Sequence, residues 1–75
     1  MYVHVGDNVM IRSSEIVAIL DKDTVNQSET ILELLDKRSK DVSRLTEGSF
    51  KTLVITGSHM YLSPISAGTL KKHSM

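Results

Sequence analysis

A chain of 75 residues and 8.3 kDa holds one domain, residues 1–75, and the absence of cysteine excludes disulfides, thiolate zinc sites and thiol nucleophiles. Apolar residues make up 40% and charged residues 24%, an ordinary globular mixture that excludes extended disorder, and the few aromatics (Tyr2, Phe50, Tyr61) leave the core to Val, Ile, Leu and Met. The net charge is zero, yet residues 1–36 carry two bases against seven acids and residues 37–75 seven bases against two acids, net −5 and +5.

That asymmetry fits an anionic partner or contact between unlike faces of neighbouring subunits, or simply helix-end complementation and solvated loops. The longest apolar run, Ile16–Leu20, falls far short of the roughly 18 residues needed to span a membrane. The start of the chain lacks the basic and long apolar regions of a secretory signal, so a cytoplasmic protein without membrane contact is expected.

In chain order, Tyr2–Val5 and Val9–Arg12 read as short strands joined into a hairpin by the turn residues Gly6, Asp7 and Asn8. After Ser13 and Ser14, Ile16–Leu20 is a third strand. Asn26 can cap a helix, with Glu29 three residues on as in a capping box. The spacing predicts one main helix over about 26–39 with Ile31, Leu32, Leu34 and Leu35 as its apolar stripe, Leu32 and Leu35 being core. Acids lie early in it and bases late, as the helix dipole favours.

Val42–Thr46 reads as a strand, with a turn at Glu47-Gly48-Ser49. Thr52–Thr56 and Met60–Ser63 follow, separated by the turn Gly57-Ser58-His59 and ended by Pro64. Ser66 can cap a short C-terminal helix through Thr69–Lys72. The expected fold is α+β: a small, mostly antiparallel sheet of five to six short strands with one main helix and a short C-terminal helix. Ile16–Leu20 and Leu53–Ile55 are unalternated apolar runs, the pattern of strands covered on both faces. With one full helix available and a domain this small, a second copy of the chain is the expected cover for one face, the alternative being the C-terminal helix.

No motif for catalysis or a cofactor is present. His4, His59 and His73 are isolated, without metal-ligand spacing. Asp21-x-Asp23 resembles the start of a calcium loop but has Asn26 where glycine is needed and Leu32 where the closing glutamate belongs. There is no nucleophile elbow, and the glycines form no phosphate-binding loop. A non-enzymatic protein with no cofactor, no metal and no small-molecule substrate is expected. Nucleic acid could be held only by lysine and arginine contacts to phosphate, since two or three aromatics make no stacking platform.

The residues Met1-Tyr2-Val3-His4-Val5-Gly6, Ser14-Glu15-Ile16-Val17-Ala18-Ile19 and Lys51-Thr52-Leu53-Val54-Ile55-Thr56 have a family likeness, as does the ending Tyr61-Leu62-Ser63-Pro64-Ile65-Ser66 with Thr69-Leu70-Lys71-Lys72. On these the chain resembles the bacterial extracellular matrix regulatory proteins, the RemA/RemB-like family, and within it the RemB-like branch. The likeness covers nearly the whole chain. It implies a small α+β subunit that assembles into rings and a DNA-binding regulator of biofilm matrix genes. In the RemA-like branch the DNA contacts are placed on arginines of the turn after the strand that follows the helix, and on one just before the third strand. Here that turn reads Glu47-Gly48-Ser49-Phe50-Lys51, keeping only the charge of Lys51, and Glu15 precedes Ile16.

The resulting expectation is an oligomeric, non-enzymatic, DNA-associated regulator of matrix genes in the bacterial cytoplasm. Its nucleic-acid contacts are expected at Arg44, Lys51, Lys71 and Lys72, opposed by Glu15 and Glu47. The alternative is a ring-forming scaffold that binds protein, a paralogue for example, and no DNA.

Overall fold

A computed structural model describes the backbone of residues 1–74 and the side chains through Lys72; the side chain of His73 lies outside the described residues. Strands β1 (Tyr2–Gly6) and β2 (Val9–Arg12) are followed by β3 (Ile16–Asp21), helices α1 (Lys22–Gln27) and α2 (Glu29–Lys37), strands β4 (Val42–Arg44), β5 (Thr52–Thr56) and β6 (Met60–Ser63), and helix α3 (Ala67–Ser74). The six strands divide into two sheets. One is the β1–β2 hairpin; the other has the order β3-β5-β6-β4, antiparallel except for β4 beside β6.

The hairpin closes through Asp7 (φ 44°) and Asn8 (φ 62°), the two left-handed positions that a type I′ turn demands and that Asx side chains tolerate. Gly6, at φ 128°, shifts the register just before the turn and lies against Pro64, whose Cδ would stand 2.9 Å from a Cβ at this position. The Ser63 hydroxyl donates to the Val5 carbonyl at 2.6 Å, fastening the hairpin to the sheet behind it.

Leu53 and Val54 are both fully buried neighbours on β5, and neighbouring strand residues point to opposite faces. Val54 joins Val3, Val5, Ile11 and Leu70, so the hairpin and α3 cover one face. Leu53 joins Val25 and Met60, with Ile31, Leu34 and Leu35 packed around them, so α1 and α2 cover the other. The molecule thus has three layers: hairpin with α3, four-stranded sheet, and paired helices. Both faces of the unalternated strands are covered within one subunit, and no second copy is needed for that purpose. The hairpin supplies the cover that the strand count left unassigned.

The main helix differs from the one predicted. It is broken at Ser28, whose backbone is extended (φ −107°, ψ 106°). Asp21 caps α1 by accepting from Thr24 N at 2.8 Å, and Ser28 caps α2 by accepting from Ile31 N at 3.2 Å; Asn26 lies inside α1 and is not the cap. The break has a packing reason. In a continuous helix Val25 and Ile31 would sit about 120° apart around the axis. Breaking the helix lets both face Leu53. The buried-side stripe of α2 is Ile31, Leu34 and Leu35, and Leu32 is 42% exposed rather than core.

The segment after β4 also differs. β4 ends at Arg44, and β4 pairs with β6 rather than β5, so residues 45–51 are a crossing loop and not a hairpin turn. Ser66 does cap α3, accepting from Thr69 N at 3.3 Å. Val17 is the extra residue of a bulge between Ile16 and Ala18 and stands 69% exposed on the edge strand β3.

Candidate nucleic-acid interface

The register of the large sheet brings together residues remote in sequence. Asp21 pairs with Thr52, and Thr52 with Ser63, so the end of β3, the start of β5 and the end of β6 form one edge of the layer. Two backbone bonds extend that row: Lys51 N donates to Ser63 O at 2.8 Å, and Lys22 N donates to Lys51 O at 2.9 Å. The side chains of Lys22 and Lys51 are exposed there.

Asp21 stands among them. The Thr24 N–H that donates to its carboxylate, and then the Thr24 hydroxyl, hold its pKa below the ordinary 3.8, and the charge of Lys71 on α3 acts in the same direction. Lys71 is therefore within electrostatic reach of Asp21. Three lysines, from α1, the end of the crossing loop just before β5, and α3, gather at one end of the sheet around the capping carboxylate of Asp21. Of these, Lys51 and Lys71 are expected from the sequence. Lys22 is not, because only the β3–β5 pairing sets it beside Lys51.

The other two expected residues lie apart. Arg44 pairs with Leu62 near the same end but on the opposite edge strand, three strand spacings or about 14 Å from β3. Its guanidinium donates to Thr46 O at 3.1 Å and Gly48 O at 2.7 Å, folding the crossing loop back on β4. Asp7 and Glu47 share the shallow depression beside it, so acids offset this corner. Lys72 turns toward the hairpin, where it borders a groove with Tyr2, His4 and Met10. Glu15, which the sequence sets against the basic patch, precedes β3 and lies about 20 Å along that strand from Asp21.

One further pair escaped the sequence. Ser43 Oγ and His59 Nε2 are 2.7 Å apart, joining β4 to the turn before β6, and the His59 ring packs on Tyr61 with centroids 4.9 Å apart. The spacing of sixteen residues has no local signature, and only the parallel β4–β6 register makes the contact. Asp41, near His59 in the same depression, is paired with Arg38 at 3.3 Å. Among the described residues no group of three or more His, Cys, Asp or Glu is placed to hold a metal ion, and no helix is long and apolar enough to cross a membrane.

These features define a small three-layer α+β domain that presents lysines at one end of its sheet and an open groove on its hairpin. The model of the RemA-like family, described as extracellular matrix regulatory protein A-like, matches residues 2–73. Extracellular matrix regulatory protein B of Bacillus subtilis (strain 168) is 36% identical over 74 residues, which span 99% of this chain and 90% of that protein. The chain belongs to the RemA-like family.

Proposed function

We propose that this protein is a non-enzymatic regulator of extracellular matrix genes that acts in the cytoplasm as an oligomer and holds DNA through its phosphates. The family and the likeness to extracellular matrix regulatory protein B support the regulatory role. The observation that carries the DNA contact is the convergence of Lys22 on α1, Lys51 at the end of the loop before β5 and Lys71 on α3 at one end of the sheet. The patch of one subunit is weak, and an assembly repeating it gains affinity on DNA long enough to reach several copies.

Gel shifts with short and long duplexes at low salt test this. Long DNA should bind more tightly than short, and binding should weaken with salt. Neutralising Lys22, Lys51 and Lys71 together should abolish the shift at moderate salt. Single neutralisations should each flatten the log–log salt slope by about 0.9 for every phosphate that is no longer neutralised. Absence of any shift on long DNA overturns the DNA contact. The second reading, a protein-binding scaffold, is favoured by the open groove on the hairpin, lined by Met1, Tyr2 and Met10 at 80%, 57% and 53% exposure.

A further inference from the structure

The outer face of the hairpin meets α3 at an open groove of about 490 Å³. Strand alternation makes it. Val3, Val5 and Ile11 point into the core, so Tyr2 and His4 on β1 and Met10 and Arg12 on β2 point out. His4 and Met10 are direct partners across the hairpin, as are Tyr2 and Arg12. Leu70, 1% exposed, lies at the base of the groove with Ile65. Met1, Tyr2 and Met10 form its walls and are all exposed. Three large apolar side chains left open side by side on so small a domain mark a surface that holds something.

The charge of the groove is one-sided. Among the described residues none that lines it is acidic, and Lys72 stands at its edge. The Arg12 guanidinium lies 6.0 Å from the centroid of the Tyr2 ring and brings a second positive charge to the rim. His4 and Thr69 add hydrogen-bonding groups to the lining. An apolar trough with few polar groups, of about 300 to 1,000 Å³, is the ordinary form of a small-molecule site. Eight residues line this one, against about 20–30 a side in a standard protein interface. The two methionines are flexible and polarisable, so the walls can close on apolar bodies of differing shape.

We propose that this groove binds a small amphipathic anion, an alkyl or aryl body carrying a single carboxylate or sulfonate head. The body lies on Leu70 and Ile65 between Tyr2 and Met10, and the head faces Lys72. An apolar cation is repelled by Lys72 and Arg12, and a hydrophilic anion leaves the apolar walls uncovered. The site is separate from the lysine end of the sheet. Lys71 acts on Asp21, whereas Lys72, about 100° further around α3, borders the groove. Lys72 thereby takes a part in holding a ligand rather than DNA, and the hairpin layer gains a binding function of its own.

The fluorescence of anilinonaphthalene sulfonate, itself an aryl sulfonate, tests this on the full chain. The dye should bind saturably, one per chain, with blue-shifted emission. Dodecanoate below its micelle-forming concentration should displace it. Dodecyltrimethylammonium, with the same alkyl body and the opposite charge, should not. Met10→Glu, which places a carboxylate in the groove, should abolish dye binding. Lys72→Gln should weaken it about two- to fivefold, the scale of an exposed ion pair, and Lys72→Arg should restore it. Met10 and Lys72 are exposed, so far-UV circular dichroism should stay unchanged in all three variants. Absence of saturable binding overturns the proposal, the groove then being filled by another protein or a second copy. So does binding that Met10→Glu leaves unchanged, or displacement by the cationic detergent as effective as by dodecanoate. Sedimentation with phosphatidylglycerol vesicles separates the remaining source of an anionic head. A chain that pellets with the vesicles while free dodecanoate displaces no dye overturns the proposal in favour of a membrane contact.

Discussion

The two faces of the central sheet are covered in different ways. On one, the hairpin and α3 pack five fully or almost fully buried side chains, Val3, Val5, Ile11, Val54 and Leu70, from four elements. That cover is fastened by contacts between the two ends of the chain, Ser63 to Val5 and Gly6 to Pro64. On the other face Val25, Leu53 and Met60 are the buried side chains among the described residues, and Leu34 and Leu35 of α2 are half-buried. The helical cover is built from local turns with their own caps, whereas the hairpin, itself a local unit, is held on the sheet by these long-range contacts. The hairpin face should therefore hold most of the stability, and the helical face should be the one that opens first.

The largest expected effect is at Gly6. Gly6→Ala forces a side chain into a positive-φ conformation and against Pro64. Backbone strain of roughly 1–3 kcal/mol and overpacking of a similar size should together cost about 2–6 kcal/mol in a urea melt. A loss below about 1 kcal/mol would show that the hairpin can slide off Pro64 and that its cover is not rigid.

Next is a direct comparison of the faces. Leu70→Ala removes a side chain that is 1% exposed and should cost about 2–5 kcal/mol. Leu35→Ala removes a half-buried one and should cost about 1–2 kcal/mol, since only part of its transfer energy is at stake. Equal losses would erase the distinction between the two covers. Amide hydrogen exchange sharpens it: α1 and α2 should exchange before β1 and α3.

The smallest effect belongs to the junction of sheet and helices. The Asp21 carboxylate has its pKa lowered by the Thr24 N–H, then by the Thr24 hydroxyl and the charge of Lys71. A lowered folded-state pKa means that its contribution is fully present above 3.8 and is lost as the pH falls through the folded value. Asp21→Asn keeps a capping oxygen and removes only the charge. Wild type and variant melted from about pH 6 down to about pH 2 should converge at the acid end. A difference that persists unchanged at the lowest pH would mean that the charge is not what the cap uses.

Much of this molecule is legible in its residues. Gly6-Asp7-Asn8 between two β-prone segments specifies the hairpin, because those residue types accept the φ values of a tight turn. Pro64 and Ser66 mark the end of β6 and the start of α3 by local chemistry. The α+β class and the family likeness follow from the same local signals and are matched by the fold and by the relatives.

What tertiary structure alone decided are the matters of register and competition. Asp21, Asn26 and Ser28 can all cap a helix, and only the need to turn both Val25 and Ile31 toward Leu53 selects Asp21 and Ser28. Whether the strand after the helices pairs with β5 or β6 carries no local signature, so the crossing loop, the Ser43–His59 pair and the place of Arg44 were hidden. Lys22 beside Lys51, and Lys71 beside Asp21, depend on strand pairing and on α3 docking across more than a dozen residues of separation. A sequence records which side chains each segment prefers to bury, but which distant segments share an edge follows from the packing that satisfies all those preferences at once.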